Sequence, residues 1–381
     1  MRILHVTDFY LPRLGGIEIQ VHDLAAHQRA AGHDATVVTS TPGPAYRAVP
    51  VTRLPSLRGV PTRRALAELA RTVSSGRFDV VHAHTSLLSP LAWAAIRTAR
   101  AADVPTVVTM HSMTPPTGLA PRLIGLLDVA APGVTWTAVS AAAGAALGRA
   151  LAGQHVSVLP NAVDPLPWRP LRTTSTLHRP MTIVSVMRMT HRKRPLELAR
   201  ILTEIRHQVP AQQPLRAVLV GSGPLAATLR RRLRRHAMDS WVTLPGRLQR
   251  SQIQQLFTHA DVYLAPATVE SFGIAALEAR CAGLPVVAMA RGGVGDFITD
   301  GVEGILVGSD REMAYRTARL LTRPRQLRSM QQHNRATSPS TTWHTVVPLT
   351  VETYLKAGAR VGNRPSEIRL PDPMQRRSLP V

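Results

Sequence analysis

The chain has 381 residues, more than one hydrophobic core ordinarily supports, so two domains of ordinary size are expected. Apolar residues make up 44% and aromatics only 4%, which implies cores of Ala, Leu and Val rather than large rings and marks a globular composition. A single cysteine, Cys281, excludes an intramolecular disulfide framework, fits a reducing compartment and reads as a small buried apolar residue. The net charge of +23 raises a nucleic-acid or polyanion reading, but the excess is uneven. Up to Pro170 there are 15 Arg against 9 acids, and from Leu171 onward 31 Lys plus Arg against 14. Only Lys193 and Lys356 of the 46 basic residues are lysines, which singles out any lysine as a compact point charge in an Arg-rich background.

In chain order, Arg2 to Val6 reads as a strand, too short an apolar run for a signal peptide, followed by a Gly15-Gly16 loop and a helix from about Ile17 to Ala31. Apolar runs at Ala35 to Thr39, Phe78 to His82, Pro105 to Met110, Thr135 to Val139 and His155 to Leu159 alternate with helical stretches such as Leu87 to Ala101 and Ala141 to Ala152. The longest uncharged stretch, Val129 to Gly148, reads as loop, strand and helix rather than a membrane span, because Pro132 and Gly133 interrupt it. Short apolar strands alternating with helices predict parallel sheets covered on both faces. The Pro-rich segment from Asp164 to Pro180 breaks the pattern as a linker. The alternation restarts at Thr182 to Val186, Arg216 to Val220, Trp241 to Leu244, Asp261 to Ala265, Pro285 to Met289 and Gly304 to Val307. Ser251 and Gln254 match a capping box before a helix ending at His259, Val351 to Ala357 reads as helical, and Arg360 to Val381 as a disordered tail. The expected organisation is a first domain over 1–165, a linker over 166–180, a second domain over 181–340, a C-terminal helix over 341–358 and a tail over 359–381.

Three Gly-bearing turns follow strands: Gly15-Gly16, Gly221-Ser-Gly223 and Gly292-Gly293. In open parallel sheets ligands bind beyond the carboxyl ends of strands, where glycine lets backbone approach a phosphate at a helix N-terminus. Each turn is equally explained by tight-turn geometry, and none carries the full G-x-G-x-x-G dinucleotide fingerprint. The stretch from Ser185 to Pro195 leaves a strand with Arg188 and Lys193 and enters a helix, placing cations where a diphosphate could sit; a solvated basic loop is the alternative. Glu270 and Glu278 lie eight positions apart. A helix from about Phe272 would put Glu278 two turns in, on an apolar helix where it needs a partner, with Glu270 before it facing the crevice. The arginines of 230–235 flank Leu225, Leu229 and Leu233 and read as the solvated face of an amphipathic helix. His82, His84 and His111 fall at strand ends; His111 is the leading candidate for chemistry, and hydrogen-bonded structural roles are expected for the other two. No His, Cys and carboxylate cluster has a recognisable metal spacing.

Together these residues resemble the retaining glycosyltransferases of family 4, the glycosyl transferases group 1, whose fold is GT-B. The resemblance runs over roughly Met1 to Val307 and is strongest in Leu-Pro-Gly-Arg247, Ala-Asp-Val-Tyr-Leu-Ala-Pro266, Glu270-Ser-Phe-Gly273, Leu-Glu278-Ala-Arg-Cys-Ala-Gly-Leu-Pro-Val-Val287, Gly292-Gly293 and Asp300-Gly-Val-Glu-Gly304. It implies an α/β chain of two Rossmann-like doubly wound domains facing across a cleft, with the donor site mainly on the second. By resemblance Glu270 lies by the donor sugar, Arg188 and Lys193 hold the diphosphate, and His111 stands near the reacting sugar. Glu278 binds the ribose, and Gly15, Gly16, Gly221, Ser271, Phe272 and Gly273 line the donor. Leu159 to Asp164 matches P-N-G-V-D with Ala162 for Gly. Met187 stands where the family usually has Gly, and Asp296 where Glu is common.

The implied activity is metal-independent transfer of a hexose from a nucleotide-diphosphate sugar to a glycan, lipid or small-molecule acceptor. No cofactor beyond that donor and no nucleic acid are expected. The implied location is the cytoplasm, with the charge able to hold the protein at the inner face of an anionic membrane. The alternatives are a basic polyanion-binding protein, which lacks aromatic stacking positions, and a related GT-B nucleotide-sugar epimerase or phosphorylase.

Overall fold

The computed structural model describes residues 1–13, 15–57, 59–114, 133–169 and 179–360. Most of the expected linker, the expected tail beyond Arg360 and the first part of the uncharged stretch from Val129 lie outside the described residues. The first half carries strands β1 Arg2–Thr7, β2 Asp34–Thr39, β3 Val51–Arg53, β4 Ser56–Leu57, β5 Val60–Pro61, β6 Val80–Thr85, β7 Thr106–Met110, β8 Val134–Ala138 and β9 Ser157–Val158. Its helices are α1 Gly16–Ala30, α2 Arg63–Val73, α3 Pro90–Ala101 and α4 Ala141–Ala150. Seven strands form one parallel sheet in the order β3-β2-β1-β6-β7-β8-β9, while β4 and β5 pair as a separate antiparallel hairpin. The central strands β6 and β7 are buried along their whole length, the property that makes them continuous apolar runs in sequence.

The second half repeats the plan. Strands β10 Met181–Val186, β11 Leu215–Val220, β12 Val242–Gly246, β13 Val262–Ala265, β14 Val286–Met289 and β15 Gly304–Val307 form a parallel sheet ordered β12-β11-β10-β13-β14-β15. Helices α5 Pro195–Gln208, α6 Ala226–Arg235, α7 Arg250–Thr258, α8 Ile274–Cys281, α9 Asp310–Leu321 and α10 Pro324–Ala336 surround it. Leu229 and Leu233 of α6 are buried and their arginine neighbours are not, as the apolar stripe implies. Cys281 is buried and burial pushes its thiol up to about 12, so it packs as an apolar group.

A last helix, α11 Trp343–Lys356, returns to the first sheet and buries Tyr354 among Ile3, Val37 and Val107. It lies within the span 341–358 and extends the helical stretch read at Val351 to Ala357 back by eight residues, with Pro348 inside it. Three further expectations shift. Helix α7 is capped by Gln249 and Gln252 rather than Ser251 and Gln254, which makes Arg250 its first residue. Strand β6 runs to Thr85, so His82 and His84 sit inside the sheet rather than at its end. Helix α8 begins at Ile274 after Gly273, whose φ of +100 suits glycine, so Glu278 lies little more than one turn in.

The two sheets face each other across a cleft closed at one side by the chain crossings. Val163 N–H donates to the Thr341 carbonyl, so the outgoing and returning segments run side by side.

Candidate functional site

The second-lobe side of the cleft is built at the carboxyl ends of β10 and β13. After β10, a short 3-10 turn His191–Lys193 ends at Arg194, which adopts a left-handed conformation with φ of 57 before Pro195 opens α5. Strain at that residue is held by its guanidinium, which donates to both Asp310 oxygens at 2.9 and 2.7 Å and to the Pro266 carbonyl at 2.9 Å. The anchored turn presents Lys193, whose Nζ lies 2.5 Å from Glu270 Oε2. Arg188 is exposed and has no ion-pair partner among the described residues. Gly221, with φ of +135, packs against the Met187 carbonyl so closely that a Cβ would collide with it, so this glycine lets two strand-end loops cross.

Glu270 itself is set by the turn across from it. The Gly293 N–H donates to the Glu270 carbonyl at 2.9 Å, and a Cβ on Gly292 would press on Glu270. Phe272 is buried against Phe297, so its ring supports the loop from the core side. The Ser271 carbonyl accepts from Ser140 Oγ at 2.6 Å, and Ser140 in turn accepts from Ala143 N as the N-cap of α4. Asp296 accepts from Ala141 N at 2.8 Å, so a carboxylate of the second lobe caps a helix of the first.

Glu278 is nearly enclosed, its side chain 12% exposed, and burial pushes its carboxyl up to about 7 despite Arg250 at 3.5 Å. The partner that sequence reasoning required for Glu278 is thus Arg250, which stacks over Trp168 with 5.2 Å to the ring centroid and also reaches Asp23 of α1 at 3.5 Å. Sequence reasoning singles out neither Asp23 nor Arg250. They come from different lobes, and no local pattern marks either.

On the first lobe, Gly15 is the N-cap of α1, and a Cβ there would strike the carboxylate of Glu18, which is buried and paired with Arg13 at 3.0 Å. Gly16 faces Ile274, the first residue of α8, so the glycine loop meets the opposite lobe where that helix begins. Asp8, likewise unmarked in the sequence, follows β1 and accepts from Leu91 N and Ala92 N at 2.9 and 3.1 Å, capping α3, with burial raising it to about 6. His111 follows β7. Burial lowers it to about 4, so its imidazole is neutral, and Nε2 lies 3.1 Å from His84 Nδ1.

His5, His82 and His84 lie on one buried face of β1 and β6, with a ligand-capable nitrogen from each within 4.8 Å of the others. Strand pairing assembles this group, which no sequence spacing reveals. All six of its ring nitrogens are engaged in hydrogen bonds.

Two parallel sheets facing across a cleft, with the charged groups at their carboxyl ends, define the GT-B class of glycosyltransferases. Two family models tile the chain, "Glycosyltransferase Family 4" over residues 14–165 and "Glycosyl transferases group 1" over 173–337, and the chain belongs to this family. It is 27% identical over 394 residues to the phosphatidyl-myo-inositol mannosyltransferase of Propionibacterium freudenreichii, covering 94% of this chain and 96% of that protein. It is 26% identical over 314 residues to one chain of the human phosphatidylinositol N-acetylglucosaminyltransferase. That match covers 78% of this chain and spans 64% of the human protein's length. Among solved structures, Anabaena Alr3699/HepE with UDP and glucose superposes with a TM-score of 0.75 at 21% identity, covering 93% of this chain and 99% of that one.

Proposed function

We propose that this glycosyltransferase moves a hexose from a nucleotide-diphosphate sugar to an acceptor hydroxyl with retention of anomeric configuration and without a metal ion. The observation that carries the reading is the Lys193–Glu270 pair at the mouth of the cleft, joined at 2.5 Å and held by the Arg194 anchor. An ammonium has three N–H donors, so Lys193 can keep Glu270 and still donate to phosphate oxygens. Cleavage of the sugar–phosphate bond leaves its electron pair on the diphosphate. Fixed cations there stabilise the transition state more than the ground state, the role given to Lys193 and the exposed Arg188. Glu270 orients the sugar, Glu278 takes the ribose hydroxyls, and His111 approaches the sugar from the opposite lobe. Closure of the lobes, supported by the Ser140 to Ser271 and Ala141 to Asp296 bonds, keeps water from competing as acceptor. Both sequence relatives named above carry phosphatidylinositol in their names, which favours a lipid acceptor met at an anionic membrane surface over a soluble glycan or small molecule.

The test needs no acceptor. UDP-, GDP- and ADP-sugars are incubated with the protein and release of nucleoside diphosphate is followed, with and without chelator. One base should be preferred, chelator should have no effect, and Lys193→Ala should lower turnover more than tenfold, about 1.4 kcal/mol, while remaining folded. Retention of DNA in a salt-sensitive manner with no hydrolysis of any donor would replace this reading with that of a polyanion binder.

A further inference from the structure

The buried histidines are links of one continuous hydrogen-bond chain, and the bond at its threonine end sets the order of its protons. Thr137 Oγ1 donates its single proton to the Val108 carbonyl at 3.0 Å, in place of Thr109 Oγ1 at 2.7 Å. Thr137 Oγ1 must then accept across its 2.7 Å contact from Thr109, which spends the single Thr109 proton. Thr109 Oγ1 therefore accepts from His82 Nε2 at 2.7 Å, making that nitrogen the protonated one. Burial drives His82 far down from its ordinary value, so it is neutral; Nδ1 is a lone pair and accepts from the Tyr354 hydroxyl at 2.8 Å. The tyrosine oxygen accepts from Gln28 Nε2 at 3.0 Å, which turns Gln28 Oε1 toward His5 Nε2 at 2.7 Å and fixes the proton on that nitrogen. His5 is likewise neutral, so its Nδ1 accepts from His84 Nε2 at 2.9 Å. His84, neutral for the same reason, accepts at Nδ1 from His111 Nε2 at 3.1 Å.

We propose that this chain is a tautomer relay, in which Tyr354, Gln28 and the Thr109–Thr137 pair are positioning residues that hold the His111 proton on Nε2 and leave its Nδ1 a lone-pair acceptor. Every donor points the same way, from His111 through the sheet to the Val108 carbonyl. The reversed order would set Thr109 to donate to His82 and turn the Thr137 proton from the Val108 carbonyl to Thr109, giving up the 3.0 Å bond, so that terminal bond gives the relay its direction. The relay also crosses the fold. His111 sits after β7, the relay passes through β6, β1 and α1, and it is completed only by Tyr354 of α11, which has already returned from the second lobe. Among the described residues nothing hydrogen-bonds His111 Nδ1, so that nitrogen is suited to accept a hydroxyl proton from a sugar. This last step rests on the role proposed for His111 above; the relay itself does not.

Histidine-selective 15N spectra of the full-length protein distinguish protonated from lone-pair ring nitrogens at each site. The expected wild-type result is a His111 signal with Nε2 protonated and Nδ1 bare. Thr137→Val, which keeps side-chain shape and lies at the far end of the relay, should give a mixture of both His111 tautomers with the thermal midpoint little changed. Tyr354→Phe should do the same from the middle. Donor hydrolysis should fall about twofold for an even mixture, in proportion to the lost Nε2-protonated fraction. A wild-type His111 protonated on Nδ1, a tautomer unmoved in both variants, or stoichiometric zinc bound by His5, His82 and His84 in the purified protein overturns the relay. If the tautomer shifts as expected while hydrolysis is unchanged, the relay stands and the role of His111 at the sugar falls.

Discussion

A carboxylate enclosed near the start of a helix is driven toward its protonated form unless a cation reaches it, and Glu278 feels both effects. Burial is the larger and raises it from an ordinary 4.5 to about 7, with Arg250 opposing. Between those two values the native state holds this proton more tightly than the unfolded chain does. Stability therefore falls as pH rises from 4.5 to 7 and levels off above. Glu278→Gln has no such term, so its thermal midpoint should gain on the wild type across that window. The same proton should appear in binding. If ribose hydroxyls donate to Glu278, the ionised form is the one that binds, so a nucleotide-diphosphate sugar, whose own phosphates do not titrate near neutrality, should displace a proton. Calorimetry near pH 6.5 in buffers of different ionisation enthalpy should register proton release with the wild type and none with Glu278→Gln. Equal release from both proteins would remove Glu278 from the ribose site.

Between strand and helix, the loops at the carboxyl ends of the second sheet depend on backbone that only glycine supplies cheaply. Gly273 has φ of +100 and a Cβ there would lie 2.8 Å from Val294, whereas Gly301, at the opposite end of the sheet just before β15, has φ of +82 with open space around it. Alanine at either position meets the same kind of left-handed penalty, about 1–2 kcal/mol. Both variants should therefore lose thermal stability, but only Gly273→Ala should also lose donor hydrolysis, because it shifts the turn that carries Glu270. A comparable activity loss in Gly301→Ala would show that general loosening, not the turn, is responsible. The long elements were legible because strands buried on both faces are continuous apolar runs: every strand of the second sheet falls within two residues of its sequence expectation. The short strands β3, β4 and β5 were missed because two or three residues carry no periodicity. The true cap of α7 was hidden by a competing Ser251 two residues on.

At the scale of the whole molecule, the site was legible as separate strand-end motifs and illegible as an assembly. Lys193, Glu270 and the Gly292-Gly293 turn announce themselves locally, but the Asp23–Arg250–Glu278 bridge and the histidine relay join residues brought together only by the return of the chain across two lobes. Charge is the remaining global feature. No described helix is long and apolar enough to cross a membrane, yet the net charge is +23 and anionic headgroups attract basic residues at about 1 kcal/mol each near the bilayer. Most of that charge follows Leu171, so the first lobe needs something more to meet a membrane. Its β4–β5 hairpin exposes Leu57 and Val60, 73% and 60% accessible, directly before α2, where Arg63, Arg64 and Arg71 face solvent. Apolar side chains beside exposed arginines suit an interface in which the charges hold the protein and the hairpin tip inserts. Co-sedimentation should therefore find the protein with anionic vesicles and not neutral ones at low salt. Release should follow as the Debye length falls below about 8 Å. The double variant Leu57→Ser, Val60→Ser should require less salt for release while hydrolysing donor at the wild-type rate. A protein that stays in the supernatant with anionic vesicles even at low salt points instead to a soluble acceptor, with the charge serving the donor or nothing specific.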